Sequence, residues 1–370
     1  MSDNKKIAWL DTVRVFASFA VILGHFVSCF DGFDGFDKMR LFFFHMGNVG
    51  VFLFFTLSGY LIRPSLERAS SLWAFYRKKL VRVVVPFTVC YFVFGAALIA
   101  LAPLELSIAQ RSPFYTAMYQ SGFPWGIFFA MFPVDVNLMM LFDAPLYWFV
   151  GEWFMGVLLW LYLIAPLLDK LIRRAPLLTF AASIVISVAT FYAVEPLVQQ
   201  GRMMTGWWLF PARIPEFLFG MLLFAYKDFF AQHRQKILRG VLAWAIVVGG
   251  AEIFYFANVP ALLTRLFPLE PYSMLMSIPC TYLFFELTDW LNEKFPSPLA
   301  WFNGFSDVSY MVMLTQHVIL YIFAGAIEFE KFHSMGPILM FTLSTMVIVY
   351  ASEALKNFSD PVEHWFMKRK

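Results

Sequence analysis

The 370-residue sequence predicts an all-α fold, a polytopic membrane helical bundle of about ten transmembrane helices with both termini cytoplasmic, in a single domain over residues 1–370. Three observations lead there. First, 60% of the residues are apolar, 14% are charged and 46 are Phe, more apolar side chain than a soluble core hides. Second, uncharged stretches near the bilayer-spanning length of about 20 residues recur along the chain; 83–104 and 177–194 are two of them. Third, the Lys and Arg residues fall mostly on one side of the topology those stretches define.

The start, Met1 to Lys6, is polar and lacks the cleavage pattern of a secretory signal, so the first apolar run, near 7–30, is predicted to remain as a membrane helix. Hydropathy and turn residues place the others near 41–62, 83–102, 146–168, 177–195, 207–226, 240–258, 271–290, 301–325 and 336–354. Residues 103–145 contain an apolar run from Phe123 to Phe132 that Pro133 and Asp135 interrupt, and are predicted to form an external re-entrant or interfacial segment. The DGFDGFD loop, with Asp31, Asp34 and Asp37, lacks an EF-hand's alternating ligands and reads as solvated. Ten spans put both termini on one side. Of the 28 basic residues, twenty fall in segments on that side and six on the other, with Arg14 and Arg213 inside helices, which assigns the termini to the cytoplasm.

Several function classes are excluded. A net charge of +3, with no basic stretch interleaved with stacking aromatics, argues against nucleic acid. Cys29, Cys90 and Cys280 are too far apart for a ligand set and read as small hydrophobes; no metal is predicted. The chain has no G-x-S-x-G elbow, Walker loop, H-E-x-x-H helix or Rossmann fingerprint, and no His followed five residues later by Asp.

Ionisable residues inside membrane helices are costly and mark candidate sites. Arg14 and His25 are eleven residues apart, about three turns plus roughly 20°, with a rise of about 16.5 Å, so they share one face of the first helix. An anion-binding group then stands toward the cytoplasm below an imidazole, whose unperturbed pKa near 6.5 suits it to take a proton from a hydroxyl. The competing reading has Arg14 snorkelling to headgroups and His25 satisfying an interhelical hydrogen bond. Arg63, Arg68, Arg77, Lys78, Lys79 and Arg82 add six cations within twenty residues, against Glu67 alone, which fits a polyanionic cytosolic ligand or anionic lipid. Asp11, His45, Ser58, Glu152, Arg213, Glu216 and Tyr310 are the candidate substrate-binding or cavity positions, although Arg213 and Glu216, three residues apart, could simply neutralise each other. Asn48 and Gly59 add polar or close-packing positions, and Ser309, Thr315, Gln316 and His317 form a further polar cluster read evenly as functional or packing.

Four stretches carry a resemblance. LDTVRVFASFAVILGH (Leu10 to His25) presents a basic residue, ten residues, then His; VGVFLFFTLSGYLI (Val49 to Ile62) is a Phe-rich helix with Ser-Gly near its end; YRKKLVRVVVPF (Tyr76 to Phe87) is a basic loop closing on proline; ARIPEFLFGMLL (Ala212 to Leu223) is a Glu-Phe segment ending at glycine. Together with Trp148 and Glu152, this order resembles the acyltransferase 3 family of multi-pass membrane O-acyltransferases. The ninth span departs from it, with Gln316 where the family often has His, so that role is not carried to His317. Nor is a fused hydrolase-like domain expected after the last span.

The resemblance implies an acyl-CoA donor, usually acetyl-CoA, with Arg14, Arg77, Lys78 and Arg82 binding it and His25 as catalytic base or covalent acyl carrier. It further implies a glycan or lipid-linked sugar acceptor, membrane lipid around a multi-pass protein of the bacterial cytoplasmic membrane, and partner proteins of glycan synthesis. A transporter or flippase of a sugar-linked or anionic substrate, and a non-catalytic membrane partner, are the competing classes.

Overall fold

The computed structural model describes residues 8–29, 37–101, 150–200, 206–258, 270–327 and 336–368. Helices follow one another as α1 (Ala8–Cys29), α2 (Asp37–Glu67), α3 (Leu72–Ala100), α4 (Glu152–Arg174) and α5 (Pro176–Gln199). Two 3₁₀ turns (Gly206–Trp208 and Phe210–Arg213) lead into α6 (Ile214–Ala225), α7 (Lys227–Gln232), α8 (Arg234–Asn258), α9 (Glu270–Lys294) and α10 (Pro296–Asn303). A third 3₁₀ turn (Gly304–Val308) precedes α11 (Ser309–Ala326) and α12 (Gly336–Lys368). The described residues contain no strand, in keeping with the all-α expectation. The predicted external segment 103–145, Asp31, Asp34 and Trp148 lie outside the described residues.

Seven described segments are long and apolar enough to cross a membrane: Ala8–Cys29, Met46–Glu67, Leu72–Leu98, Trp153–Arg174, Pro176–Gln199, Pro296–Ala326 and Gly336–Lys368. Among their outward residues, Leu177, Ile186, Met346 and Tyr350 are exposed, an apolar surface suited to lipid. The predicted spans 240–258 and 271–290 correspond to α8 and α9, each 25 residues long but outside that apolar set.

Three boundaries differ from the sequence reading, each for a local reason. The span expected at 207–226 is broken: Pro211 and Pro215 interrupt the backbone donors, leaving 3₁₀ turns and an α6 of 12 residues. That helix is about 18 Å long against a hydrocarbon core of roughly 30 Å. Next, α3 begins at Leu72, eleven residues before the expected start, because Ser71 Oγ accepts the Ala74 N–H at 3.1 Å as an N-cap. Arg77, Lys78, Lys79 and Arg82 are therefore on a helix, not in a loop. Finally, α4 starts at Glu152, just after Gly151, whose φ of +78° is left-handed.

The chain forms two compact units. One contains Met1–Arg14, Phe52–Ala69 and Leu161–Gly304; the other contains Val15–Val51, Ser70–Trp160 and Phe305–Lys370. In the first, α6 is buried along most of its length and packs on α5 and α9, while α8 packs on α9. Here α2 and α6 cross backbone to backbone. A Cβ on Gly59 would lie 1.8 Å from the Phe217 carbonyl oxygen, and one on Gly220 would lie 1.9 Å from that of Thr56. Gly59 is thus the close-packing position its Ser-Gly pattern indicated. Because main-chain atoms cannot move aside without separating the helices, Gly59→Ala is expected to lower the melting temperature of the detergent-solubilised protein by several degrees, corresponding to about 1–3 kcal/mol. Gly240→Ala, with nothing within 4 Å of the added Cβ, is the control expected to melt like the parent.

In the second unit, α11 packs on α3 and α12 and is buried continuously from Met311 to Leu320. A helix buried all round is usually apolar all round. This one carries Thr315, Gln316 and His317 in succession.

Candidate active site

α1 is a single unbroken helix over Ala8–Cys29, so Arg14 and His25 keep the separation of about 16.5 Å along the axis and roughly 20° around it that the sequence predicted. Near its start, Arg14 Nη1 donates to Asp11 Oδ1 at 2.7 Å, and the guanidinium remains about one-third exposed. Asp11, a predicted cavity residue, therefore fixes one edge of the predicted anion-binding group. The first turns of α1 are anchored by an amide network: Thr12 Oγ1 donates to Asn303 Oδ1 at 2.7 Å, and Asn292 Nδ2 donates to Thr12 Oγ1 at 2.8 Å. Ser58, beside Gly59 on α2, hydrogen-bonds the Tyr162 hydroxyl of α4, and the charge of Arg14 acts on the same phenol. Tyr162 joins Arg14 and Ser58 in one polar group that the sequence did not reveal, since a single Tyr in a span rich in aromatics carries no distinguishing pattern.

His25 is half-buried, with Nδ1 buried. Its ring meets the His317 ring edge to face at a centroid distance of 5.2 Å and an interplanar angle of 65°, and Tyr321 lies behind His317 at 4.7 Å. The imidazole thus has the next-door partner that the family-like register at Gln316 did not predict. The sequence left the His317 cluster even between function and packing and carried no family role to it; in the structure its ring packs against that of His25. Tyr310, a predicted substrate-binding or cavity position, donates its hydroxyl to the Val83 carbonyl at 2.7 Å, tying α11 to α3 one residue beyond Arg82.

The basic stretch divides by environment. Arg63 is buried and ion-paired with Asp169 at 2.9 Å, and Arg173 extends the network to Asp169 and Glu67. That cation is neutralised locally, which removes it from the six that could face a polyanion. Lys78 and Arg82 are exposed and one turn apart on α3. Arg77 Nη2 donates to the Phe366 carbonyl at 2.6 Å near the end of α12, and the charge of Arg82 acts on Glu363 of the same helix.

Arg213 and Glu216 neutralise each other at 3.3 Å, both almost fully buried. The Arg213 guanidinium also lies 4.3 Å from the Trp207 ring centroid and 5.1 Å from that of Phe52, and its Nε donates to the Trp207 carbonyl at 2.9 Å. Of the remaining candidates, His45 and Glu152 fall on α2 and α4, but their side chains lie outside the described residues. Asn48, also on α2, is half-buried. Cys90 is buried with its Sγ 3.8 Å from Met311 Sδ, and Cys29 and Cys280 are half-buried. Among the described residues no three His, Cys, Asp or Glu side chains converge as a metal site.

One family profile, the acyltransferase domain Acyl_transf_3, matches residues 7–355. The chain belongs to the acyltransferase 3 family. No match was found among curated proteins or solved structures. The acyltransferase profile contains α1 with Arg14 and His25, the cations of α3, the Gly59–Gly220 crossing and the whole of α11. Family and apolar helices together fit a multi-pass membrane acyltransferase. The last turns of α12, including Glu363 and Phe366, lie beyond the matched acyltransferase residues.

Proposed function

We propose that this acyltransferase carries an acyl group, acetyl in the leading case, from cytosolic acyl-CoA to a hydroxyl of a glycan or glycolipid on the extracytoplasmic side of the bacterial cytoplasmic membrane. The observation that carries the reading is α1, one unbroken helix in an acyltransferase-family chain that bears a guanidinium and an imidazole on one face. CoA is heavily anionic, and Lys78, Arg82 and Arg77 on the first turns of α3 supply charge and planar donor forks for its phosphates. Arg14, steadied by Asp11, contacts the anionic part of the donor as the pantetheine arm runs along α1 toward His25. His25 takes the acceptor hydroxyl's proton as the oxygen attacks the thioester carbonyl. The C–S bond then breaks, and the imidazolium returns the proton to the thiolate, leaving ester and free CoA.

In this reading the seven apolar segments are joined by α8, α9 and the broken 206–225 segment to make about ten crossings, with both termini cytoplasmic by the distribution of Lys and Arg. The single family match across segments of both units supports treating residues 1–370 as one catalytic domain. Partner proteins of glycan synthesis would present the acceptor.

The test begins with purified protein and acetyl-CoA. Slow hydrolysis of acetyl-CoA and thermal stabilisation by CoA are expected; absence of both would sink the proposal. Arg14→Ala is expected to raise the KM for acetyl-CoA by about 10- to 100-fold, the worth of a hydrogen bond to a charged group, with kcat near that of the parent. An unchanged KM would remove Arg14 from the donor site. Mass spectrometry of surface glycans from cells with and without the protein would then name the acyl group and its carrier.

A further inference from the structure

Two buried polar atoms near the centre of the second unit lack hydrogen-bond partners: His25 Nδ1 and Gln316 Oε1. They belong to helices that meet where the His317 ring, next to Gln316 in the chain, packs on the His25 ring at 5.2 Å, and Gln316 and the Val21 carbonyl are near enough to act on the imidazole. An amide oxygen can only accept, and an imidazole acting as base through one nitrogen carries its hydrogen on the other. Two such atoms left unpaired are costly separately and complementary together.

We propose that Gln316 is a positioning residue for His25, its Oε1 accepting the Nδ1–H so that the Nε2 lone pair is the one presented to the acceptor hydroxyl. The inference rests on the reading of His25 as the base. In the transfer step the hydroxyl O–H bond breaks and Nε2–H forms while the new C–O bond replaces C–S, and Nε2 then gives its proton to the thiolate. Nδ1–H stays bonded to Gln316 throughout, which orients the ring and stabilises the imidazolium that forms without adding a permanent charge to a buried helix.

The surroundings hold this pair in register. Thr315 Oγ1 and Ser352 Oγ are hydrogen-bonded at 2.8 Å, linking α11 to α12, and Ser18 Oγ donates to the Ser309 carbonyl at 3.5 Å, linking α11 to α1. His317 lies edge-on against the His25 ring and limits its rotation. Among the described residues His317 is the titratable group against His25, with Tyr321 behind it. From α2, Gly50 and Gly47 approach the backbone of α1 at Ala17 and Gly24, and α12 meets α1 through Phe341 on Phe26. No described charged side chain acts on His25.

The test uses the full chain with acetyl-CoA, comparing Gln316→Met, Gln316→Glu and His25→Ala. The near-isosteric Gln316→Met removes the acceptor and is expected to lower kcat by about 10- to 100-fold with the KM for acetyl-CoA and the melting temperature little changed. Gln316→Glu keeps the acceptor and adds a carboxylate that favours imidazolium, so its activity returns and the acidic limb of its kcat profile moves to higher pH by about one unit. A merely structural glutamine would change stability without moving that limb. The proposal is overturned if Gln316→Met turns over acetyl-CoA like the parent, which would leave orientation to the Val21 carbonyl, or if the acidic limb of Gln316→Glu does not move. An inactive His25→Ala beside unaffected Gln316 variants would sink this inference alone; an active His25→Ala would sink the reading beneath it as well.

Discussion

His25→Ala is expected to lower acyl transfer by roughly 10² to 10⁴ while the protein still inserts and melts close to the parent, since removing a general base commonly costs that much. The structure makes the variant a clean probe. His25 is half-buried, and what it gives up in packing is an edge contact with the His317 ring. The chemical consequence should therefore exceed the structural one. The loss should appear in kcat, because the imidazole acts on the hydroxyl as attack begins, whereas Arg14→Ala should appear in the KM for acyl-CoA. Base catalysis also fixes a direction with pH: only the neutral ring accepts a proton, so activity should fall as the medium is acidified through the imidazole's own titration. Near-normal product formation by His25→Ala, measured with acetyl-CoA and surface glycan, would dismiss the assignment.

What could be read from the sequence depended on whether a relation was local. Arg14 and His25 were legible because both sit on one helix, where the period alone sets their spacing and shared face. The Arg213–Glu216 pair was legible for the same reason, being three residues apart. Gln316 and His317 were visible as a polar cluster, but which of them meets α1 depends on how α11 is rotated in its packing, and no one-dimensional pattern states that. Arg63 shows the limit more sharply. Charge counting placed it with the phosphate-facing cations, whereas it is paired with Asp169, more than a hundred residues away. Hydropathy windows marked 207–226 as apolar, correctly, yet an apolar run with Pro211 and Pro215 builds 3₁₀ turns before its helix. The early start of α3 hung on one side chain, the Ser71 cap, which charge density had obscured.

Glu216→Ala is expected to destabilise the protein by about 3–5 kcal/mol, the usual cost of removing one partner of a buried ion pair, because it leaves the other charge uncompensated. Arg213 is 2% exposed, enclosed by the Trp207, Phe52 and Phe55 rings, and neither lipid nor water can replace the lost carboxylate there. The aromatic faces attract the guanidinium but do not cancel its charge. The carbonyl of Trp207 holds Nε, so the side chain cannot swing outward without breaking that bond as well. Thermal melts in detergent should show the drop, and Glu216→Gln should recover part of it by keeping an oxygen acceptor for the Arg213 donor. The deciding variant is the double replacement Arg213→Met with Glu216→Leu, which removes both charges and substitutes apolar volume. If the pair serves only packing, the double variant should melt near the parent and retain acyl transfer. A double variant that melts normally but no longer transfers the acyl group would place Arg213 and Glu216 in the substrate path, as their membrane depth first indicated. A single Glu216→Ala variant that melts like the parent would mean that Arg213 is not paying for burial through this carboxylate at all, and the pair's structural role would have to be abandoned.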